Sequence, residues 1–351
     1  MNSLIIPAAG KSSRYPGMKP KWLLTHPDGS LMIEKVLNAL ELSSYDKVIV
    51  TILQEHCDKH EADLILRQAL GDNIEICILP HPTPNPVATV LETINQKKLK
   101  GFVTVKDSDC IVQGSFPLNK QFIAGLTIKP SSEVNSIQSK SFIKKNEDGL
   151  VIDITEKDIT SNVICLGVYG LNVDKLISNY KNIINNPTYQ LNNEIYISHV
   201  ISLALLNLET FEYIESSKFI DWGTLDDWRK EQKKHSTYIL DIDGVLLKNT
   251  GKYGSKNWSN SINPLFDNLE AVKKLQTQGA EIILMTARPN EHLDEFKKIL
   301  TENGIFPKNI ITNCNHAKRV IVNDFAPTNP YPSCSAVSIP RNSPIEDYLI
   351  T

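Results

Sequence analysis

Ile5-Ile6-Pro7-Ala8-Ala9-Gly10-Lys11-Ser12-Ser13-Arg14 is the stretch on which the fold turns. Its aliphatic start, Leu4–Pro7, predicts a buried strand. The small residues that follow let backbone N–H groups approach and cradle phosphates. Arg14 can clamp a triphosphate bidentately. Farther on, Lys19-Pro20-Lys21-Trp22-Leu23-Leu24 adds Lys21 as a point charge near a reacting phosphate. Taken alone, the loop also reads as a plain strand-to-helix turn with surface cations.

Outward from this loop the pattern alternates. Lys47–Leu53, Ile74–Leu79 and Phe102–Lys106 read as further buried strands. Leu31–Leu42, Glu55–Leu70 and Val87–Gln96 read as the helices between them. This rhythm predicts an α/β, mostly parallel, doubly wound sheet. Short strands follow at Phe122–Ile128, Ile137–Lys144, Val151–Ile154 and Val163–Gly170, which predicts an antiparallel or mixed insertion. Helices return at Val173–Ile184 and Glu194–Leu206. A charged stretch, Asp227–His235, reads as a helix end and linker. The expected boundary therefore separates 1–234 from 235–351. A second alternating unit comes next: strand Tyr238–Leu240, helix Leu269–Gln278, strand Ile282–Met285, helix His292–Asn303, strand Ile310–Ile311 and strand Arg319–Asn323.

Composition narrows the function classes. The chain has 351 residues, a formal charge of −3 and 41% hydrophobic residues, which suits two globular domains. Near-neutral charge argues against a nucleic-acid or membrane-surface binder. No apolar run is long enough for membrane insertion, and the N-terminal stretch does not read as a signal peptide. Six scattered cysteines without a paired spacing read as reduced core thiols, so the expected compartment is cytoplasmic.

The loop and Pro20-Lys21 resemble the signature of the nucleoside-triphosphate transferase family, which includes sugar-phosphate nucleotidylyltransferases and phosphocholine-type cytidylyltransferases. The resemblance continues in chain order to Thr224. Asp107-Ser108-Asp109 ends a strand where the family carries a metal-binding Asp, and Asp109 aligns best. Thr155-Glu156-Lys157 resembles the Glu-Lys that contacts the acceptor phosphate. Gly167-Val168-Tyr169 resembles an acceptor-pocket strand. Asn193-Glu194 resembles the acceptor-binding Glu. Phe219-Ile220-Asp221-Trp222-Gly223-Thr224 resembles a segment whose Asp is the second metal ligand. Read locally, Glu156 and Lys157 are also a surface pair, and Glu194 a helix N-terminal acid.

The resemblance implies a Rossmann-like mixed-sheet nucleotidyltransferase domain. Ala8, Ala9, Gly10, Arg14, Lys21, Ala88, Thr89 and Asp107 are then nucleotide-binding residues, with Arg14 and Lys21 also catalytic. Glu156, Lys157, Tyr169 and Glu194 hold the acceptor, and Asp109 and Asp221 hold Mg²⁺. His81–Val90 departs from the Gln- and Gly-containing loop of deoxythymidine enzymes. Its three prolines make it rigid without naming a base. The compact acceptor half favours CTP as donor and a small phosphorylated sugar, polyol or amino-alcohol as acceptor.

Tyr238-Ile239-Leu240-Asp241-Ile242-Asp243-Gly244 places two acids on one side of a strand end. It resembles the first motif of the haloacid-dehalogenase (HAD) phosphatases. That resemblance implies a smaller, HAD-like doubly wound domain. Asp241 is then the nucleophile and Asp243 the general acid/base. Thr286 resembles the phosphate-binding hydroxyl, and Lys318 the third-motif cation. Asp324 resembles a metal ligand, so Asp241, Asp243 and Asp324 form the expected second metal site. Asn323 stands where the family often has a second acid. Taken alone, Asp241 and Asp243 also read as capping acids. The segment from Gly244 to Met285 is too short for a large cap as well as a core helix.

The expected protein is thus a bifunctional enzyme of nucleotidyl transfer and phosphomonoester hydrolysis, suited to surface-polysaccharide or lipid-headgroup precursor synthesis. A homo-oligomer is compatible with these features. One alternative is a live transferase carrying a silent HAD-like binding or scaffold domain. The other is a nucleotide sensor without catalysis.

Overall fold

The computed structural model describes residues 2–71, 73–129, 136–185, 194–251, 258, 262–324 and 334–349. The chain divides into two compact units, Met1–Asp227 and Trp228–Thr351. The division falls inside the helix Leu225–Lys234, seven residues before the boundary expected from the charged stretch.

The first unit opens with strand β1 (Ser3–Pro7), helix α1 (Met32–Asn38), β2 (Lys47–Leu53), helices α2 (Gln54–His60) and α3 (Ala62–Leu70), β3 (Ile74–Leu79), α4 (Pro86–Lys97) and β4 (Phe102–Lys106). β1 pairs in parallel with β2 on one side and β4 on the other, and β2 pairs in parallel with β3. Leu4, Ile5 and Ile6 are all fully buried, but in two different cores. Ile5 packs with Ile49, Val103 and Val105, whereas Leu4 and Ile6 pack with Ile33, Val48 and Val50. Apolar cover on both faces is why this strand is a continuous aliphatic run rather than an alternating one.

The mixed half follows: β5 (Cys110–Gln113), β6 (Phe122–Thr127), β7 (Ser141–Lys145), β8 (Val151–Glu156), β9 (Val163–Asn172), α5 (Val173–Ile184), α6 (Ile197–Leu206), β10 (Glu212–Glu215) and β11 (Lys218–Asp221). The nine-stranded sheet runs β10-β6-β9-β4-β1-β2-β3, with the β7–β8 hairpin attached through β7 to β9. β9 lies antiparallel to both β4 and β6. β5 and β11 form a separate antiparallel pair.

Three elements differ from expectation. The helix expected over Glu55–Leu70 breaks at Glu61, whose φ of 52° is left-handed and closes α2 through its N–H to Cys57 O. The strand expected from Ile137 starts at Ser141, after a single 3₁₀ turn at Ile137–Ser139. The helix expected from Glu194 starts at Ile197, because Tyr196 is still extended and serves as its N-cap.

After α7 (Leu225–Lys234), the second unit contains β12 (Thr237–Asp241), α8 (Phe266–Gln278), β13 (Glu281–Met285), α9 (Asp294–Glu302) and β14 (Asn309–Ile311). The three strands are parallel in the order β12-β13-β14. Leu240, Ile242, Val272, Leu284 and Phe296 are among its core residues. The strand expected over Arg319–Asn323 does not form. Among the described residues no strand pairs with it, and Val320 and Val322 are 74% and 91% exposed. Three apolar residues between charged and amide neighbours suffice for a strand-like pattern, but without a sheet neighbour their backbone has no ladder to join.

Candidate active site

The chain leaves β1 for β2 on one side, while β4 joins β1 on the other. Strand order reverses there, and open α/β sheets hold ligands in the crevice at such a switch point. The loops leaving the carboxyl ends of β1 and β4 line a cavity of about 330 Å³. Ala8, Gly10, Arg14, Lys21, Asp107 and Asp109 line one part of it. Glu156, Lys157, Tyr169, Glu194 and Asp221 also line it. All but three of the residues expected in the first site therefore share one cavity.

The three exceptions have local explanations. Ala9 is buried in the hydrophobic core beside Ile49 and Val105. Ala88 spends its N–H on the Asn85 side chain (2.9 Å), which caps α4. Thr89 is buried, and its hydroxyl meets that of Thr83 at 2.6 Å. Pro86, at the start of α4, lines the cavity where Ala88 and Thr89 do not.

The β5–β11 pair brings the two expected metal carboxylates together. Asp221 sits opposite Cys110 in its register, and Trp222 N–H donates to Asp109 O at 2.8 Å. A Cβ built on Gly223 would lie 3.2 Å from Asp221 Oδ1 and 3.6 Å from both Asp109 Oδ2 and Arg14 Nη1. Three charged side chains thus converge around a residue that has no side chain of its own. Arg14 Nη1 also donates to Gly223 O at 3.5 Å, and Tyr15 Oη donates to Thr224 O at 2.9 Å.

Each carboxylate carries its own ammonium. Lys21 Nζ pairs with Asp109 Oδ2, and Lys140 Nζ with Asp221 Oδ2. Burial alone would raise the Asp109 pKa. The bonded Lys21, with Lys140 behind it, outweighs burial and holds this carboxyl well below the usual range. Asp221 stays raised, because burial, reinforced by Asp109, exceeds the pull of Lys140. Burial also works against the Lys140 charge, but Asp221 more than compensates and keeps the ammonium protonated.

The β4 end is held by a lysine that sequence reasoning left as a strand terminus. Lys106 is fully buried and donates to Asp107 O (2.7 Å) and Cys110 O (2.8 Å), with Cys110 Sγ at 3.0 Å. It draws the Asp107–Cys110 turn tight, which fixes where Asp109 points. Asp107 N–H donates to Gly167 O (2.9 Å), and its side chain lies where a Cβ on Gly167 would be, 2.1 Å from Oδ2. Burial and the neighbouring Asp109 charge push the Asp107 carboxyl up to about 6.

At the far end of the cavity, Lys157 Nζ donates to Tyr196 Oη (2.6 Å) and lies 4.2 Å from the centre of its ring. Tyr196 Oη in turn donates to Glu194 Oε2 (2.6 Å). Glu156 Oε2 accepts from Ser198 Oγ (2.6 Å) and from Ser141 Oγ. Lys157 has a left-handed φ of 55°, a conformation that non-glycine residues rarely adopt. Tyr169 is buried, accepts from Cys165 Sγ (3.3 Å), and has a pKa raised well above its usual value by that burial. Lys140, Tyr196, Ser141 and Ser198 were not singled out from the sequence. A lysine or serine carries no local periodic signal of its partner.

In the second unit, Thr286 and Asp243 meet: Thr286 Oγ1 donates to Asp243 Oδ2 at 3.1 Å. Arg288, which is 3% exposed, grips both Asp243 oxygens and donates its own N–H to Thr286 Oγ1 at 2.9 Å. The Thr286 hydroxyl, expected to face a phosphate, is engaged within this cluster. Asp241, at the end of β12, is exposed, and its Oδ1 accepts from Ile242 N–H at 3.0 Å. Gly244 has a φ of 96° in the turn that follows. Lys318 and Asp324 lie on exposed backbone outside the three-stranded sheet, because the strand expected to carry them is absent.

No family model matches the chain, and no curated protein matches it in sequence. Solved structures do share the fold. A nucleoside-diphosphate-sugar pyrophosphorylase from Vibrio cholerae matches 66% of this chain and 99% of its own, with a TM-score of 0.55 at 19% identity. An inositol-1-phosphate CTP transferase from T. maritima matches 64% of this chain and 90% of its own, with a TM-score of 0.51 at 11% identity. A UDP-glucose pyrophosphorylase complexed with UDP-glucose matches 66% and 97%, with a TM-score of 0.51 at 14% identity. The chain thus has a mixed α/β fold shared with nucleotidyltransferases.

Proposed function

We propose that the first unit transfers a nucleotidyl group from a nucleoside triphosphate to a small phosphorylated acceptor and releases pyrophosphate. The observation that carries this reading is the single cavity shared by the small-residue loop after β1, two converging carboxylates and a Lys157–Tyr196–Glu194 chain. An acceptor phosphate oxygen attacks the α-phosphorus. The new P–O bond forms as the bond to the β-phosphate's bridging oxygen breaks. Such chemistry needs positioning and charge neutralisation more than a covalent intermediate.

The donor set fits Mg²⁺: Asp109 and Asp221 offer hard oxygen ligands, with side chains only 15% and 7% exposed, converging beside Gly223. Held there, Mg²⁺ would supply positive charge to offset that of the phosphates. Arg14 and Lys21 stabilise charge on the α-phosphate and on the departing pyrophosphate, while the backbone N–H groups of Ala9 and Gly10 cradle the triphosphate, that of Ala8 being given to Thr51 O (2.8 Å). Lys157 holds the attacking phosphate. Glu156 and Glu194 face the rest of the acceptor, where hydroxyl or amine groups suit them. CTP is the favoured donor, on the resemblance of the compact acceptor half to cytidylyltransferases, and one structure of the same fold is an inositol-1-phosphate CTP transferase.

The second unit is read as a HAD-like phosphatase, with Asp241 as nucleophile and Asp243 as general acid/base. The meeting of Asp243 with Thr286 at the ends of β12 and β13 supports it, while Arg288, which holds both Asp243 oxygens, does not. Asn323, and the exposed positions of Lys318 and Asp324, favour the alternative of a silent binding module.

Pyrophosphate release with Mg²⁺ tests the first reading. Common nucleoside triphosphates are crossed with phosphorylated sugars, polyols and amino-alcohols. Release with CTP and one acceptor class is expected. Tight nucleotide binding without release from any pair would replace the transferase with a nucleotide sensor. Hydrolysis of p-nitrophenyl phosphate in the same buffer tests the second unit, and its absence would favour the silent module.

A further inference from the structure

Lys140 has no role in the reading above, yet it lines the same cavity. Its Nζ pairs with Asp221, and it is only 15% exposed. Its carbonyl accepts the N–H of Lys157 at 3.1 Å across the mouth of the β7–β8 hairpin. The register of that hairpin sets Ser141 opposite Glu156. Two lysines therefore leave the same hairpin mouth in different directions. Lys157 reaches Tyr196 in the acceptor half, and Lys140 reaches the carboxylate pair.

A buried carboxylate without a counter-charge is costly, so Asp221 requires a cation whenever no metal is bound. A divalent ion entering between Asp109 and Asp221 competes with Lys140 for the same oxygen. Once displaced, the Lys140 ammonium remains in the cavity that Lys157 also lines. In the transferase reading both donor and acceptor phosphates enter this cavity, and the acceptor's is the one held by Lys157, whose N–H the Lys140 carbonyl accepts.

We propose that Lys140 is an internal counter-ion that occupies Asp221 until a divalent cation binds and then passes to the acceptor phosphate. It thereby couples metal binding to completion of the acceptor site. The inference rests on the transferase reading for the acceptor half, but not for the metal half.

The test uses the full chain and two variants, Lys140→Met and Lys140→Arg. Mn²⁺ binding without nucleotide is followed by water-proton relaxation, and acceptor KM by pyrophosphate release. A neighbouring cation lowers a carboxylate's affinity for a proton by about tenfold or more, and a competing metal obeys the same sign. Lys140→Met is therefore expected to tighten Mn²⁺ by roughly tenfold while raising acceptor KM by a similar factor. Lys140→Arg is expected to return both towards wild type. A merely structural role would weaken Mn²⁺ binding or leave it unchanged in Lys140→Met, and either result overturns the proposal. Tighter Mn²⁺ with unchanged acceptor KM would also overturn it, because the hand-over would be missing. If the wild-type chain binds Mn²⁺ but releases no pyrophosphate from any pair, the transferase reading fails on its own, and the Mn²⁺ comparison still decides whether Lys140 competes for the metal.

Discussion

At the scale of single residues, the first site is governed by how charges are shared. Lys21 and Lys140 each take one carboxylate, and among the described residues no ammonium pairs with Asp107. Burial and Asp109 raise its pKa from 3.8 to about 6. A carboxyl whose folded pKa is raised contributes stability below its unfolded pKa and loses it as pH climbs through the folded value. In metal-free buffer, the stability difference between the wild type and Asp107→Asn should therefore shift with pH. The variant should gain on the wild type from pH 4 to pH 7, by an amount read from urea midpoints at several pH values. A constant difference across that range would mean that Asp107 does not titrate there. Asp109 works in the opposite sense: its lowered pKa adds stability that is lost as pH falls below the ordinary carboxylate range.

At the scale of elements, β9 is the strand on which the site depends. It lies antiparallel to β4, and it must pass directly beneath the turn that carries Asp107. Gly167 makes this passage possible with a φ of 68° and no side chain. Gly167→Ala would place a methyl group 2.1 Å from Asp107 Oδ2 in a backbone conformation that L-residues avoid. The left-handed conformation alone costs roughly 1–2 kcal/mol, and the overlap adds about as much again. We expect a loss of about 2–4 kcal/mol in urea denaturation. A loss below about 0.5 kcal/mol, the size of an ordinary surface change, would show that β9 can move aside. The sequence pattern located β9, but the close approach at Gly167 depends on β4 lying next to it.

At the scale of the molecule, each unit has its own core and its own cluster of acids. Among the described residues, those lining the cavity of the first unit lie between Pro7 and Gly223. Two substitutions should then act separately. Asp109→Asn should reduce pyrophosphate release by at least about a hundredfold and leave phosphomonoester hydrolysis unchanged, since loss of a ligand exceeds the loss of its supporting contacts. Asp241→Asn should abolish hydrolysis and spare pyrophosphate release, because an amide cannot form the acyl phosphate. Hydrolysis that survives Asp241→Asn would move the nucleophile elsewhere. If either variant silenced both reactions, the two chemistries would have to share one site.

Sequence alone was enough to read the alternating strands of the first sheet, the small-residue loop after β1, and the order in which Arg14, Lys21, Asp109, Lys157 and Asp221 follow one another. The strands and the loop depend on features within a few residues, aliphatic runs and missing side chains, whereas the order of the charged residues came from the resemblance to the nucleoside-triphosphate transferases. Local reading placed a strand over Arg319–Asn323 that has no neighbour among the described residues, and the resemblance set Ala88 and Thr89 at the nucleotide, whereas the Asn85 cap holds the Ala88 N–H within α4. Only the tertiary structure decided the counter-ions. Lys106, Lys140 and Arg288 stand on long stems whose partners depend on which loops pack together. The pairing of β5 with β11 joins segments about a hundred residues apart to bring Asp109 beside Asp221. A carboxylate's place in the chain is written locally, but the cation that neutralises it is chosen by burial, because a buried charge must find a partner wherever the fold supplies one.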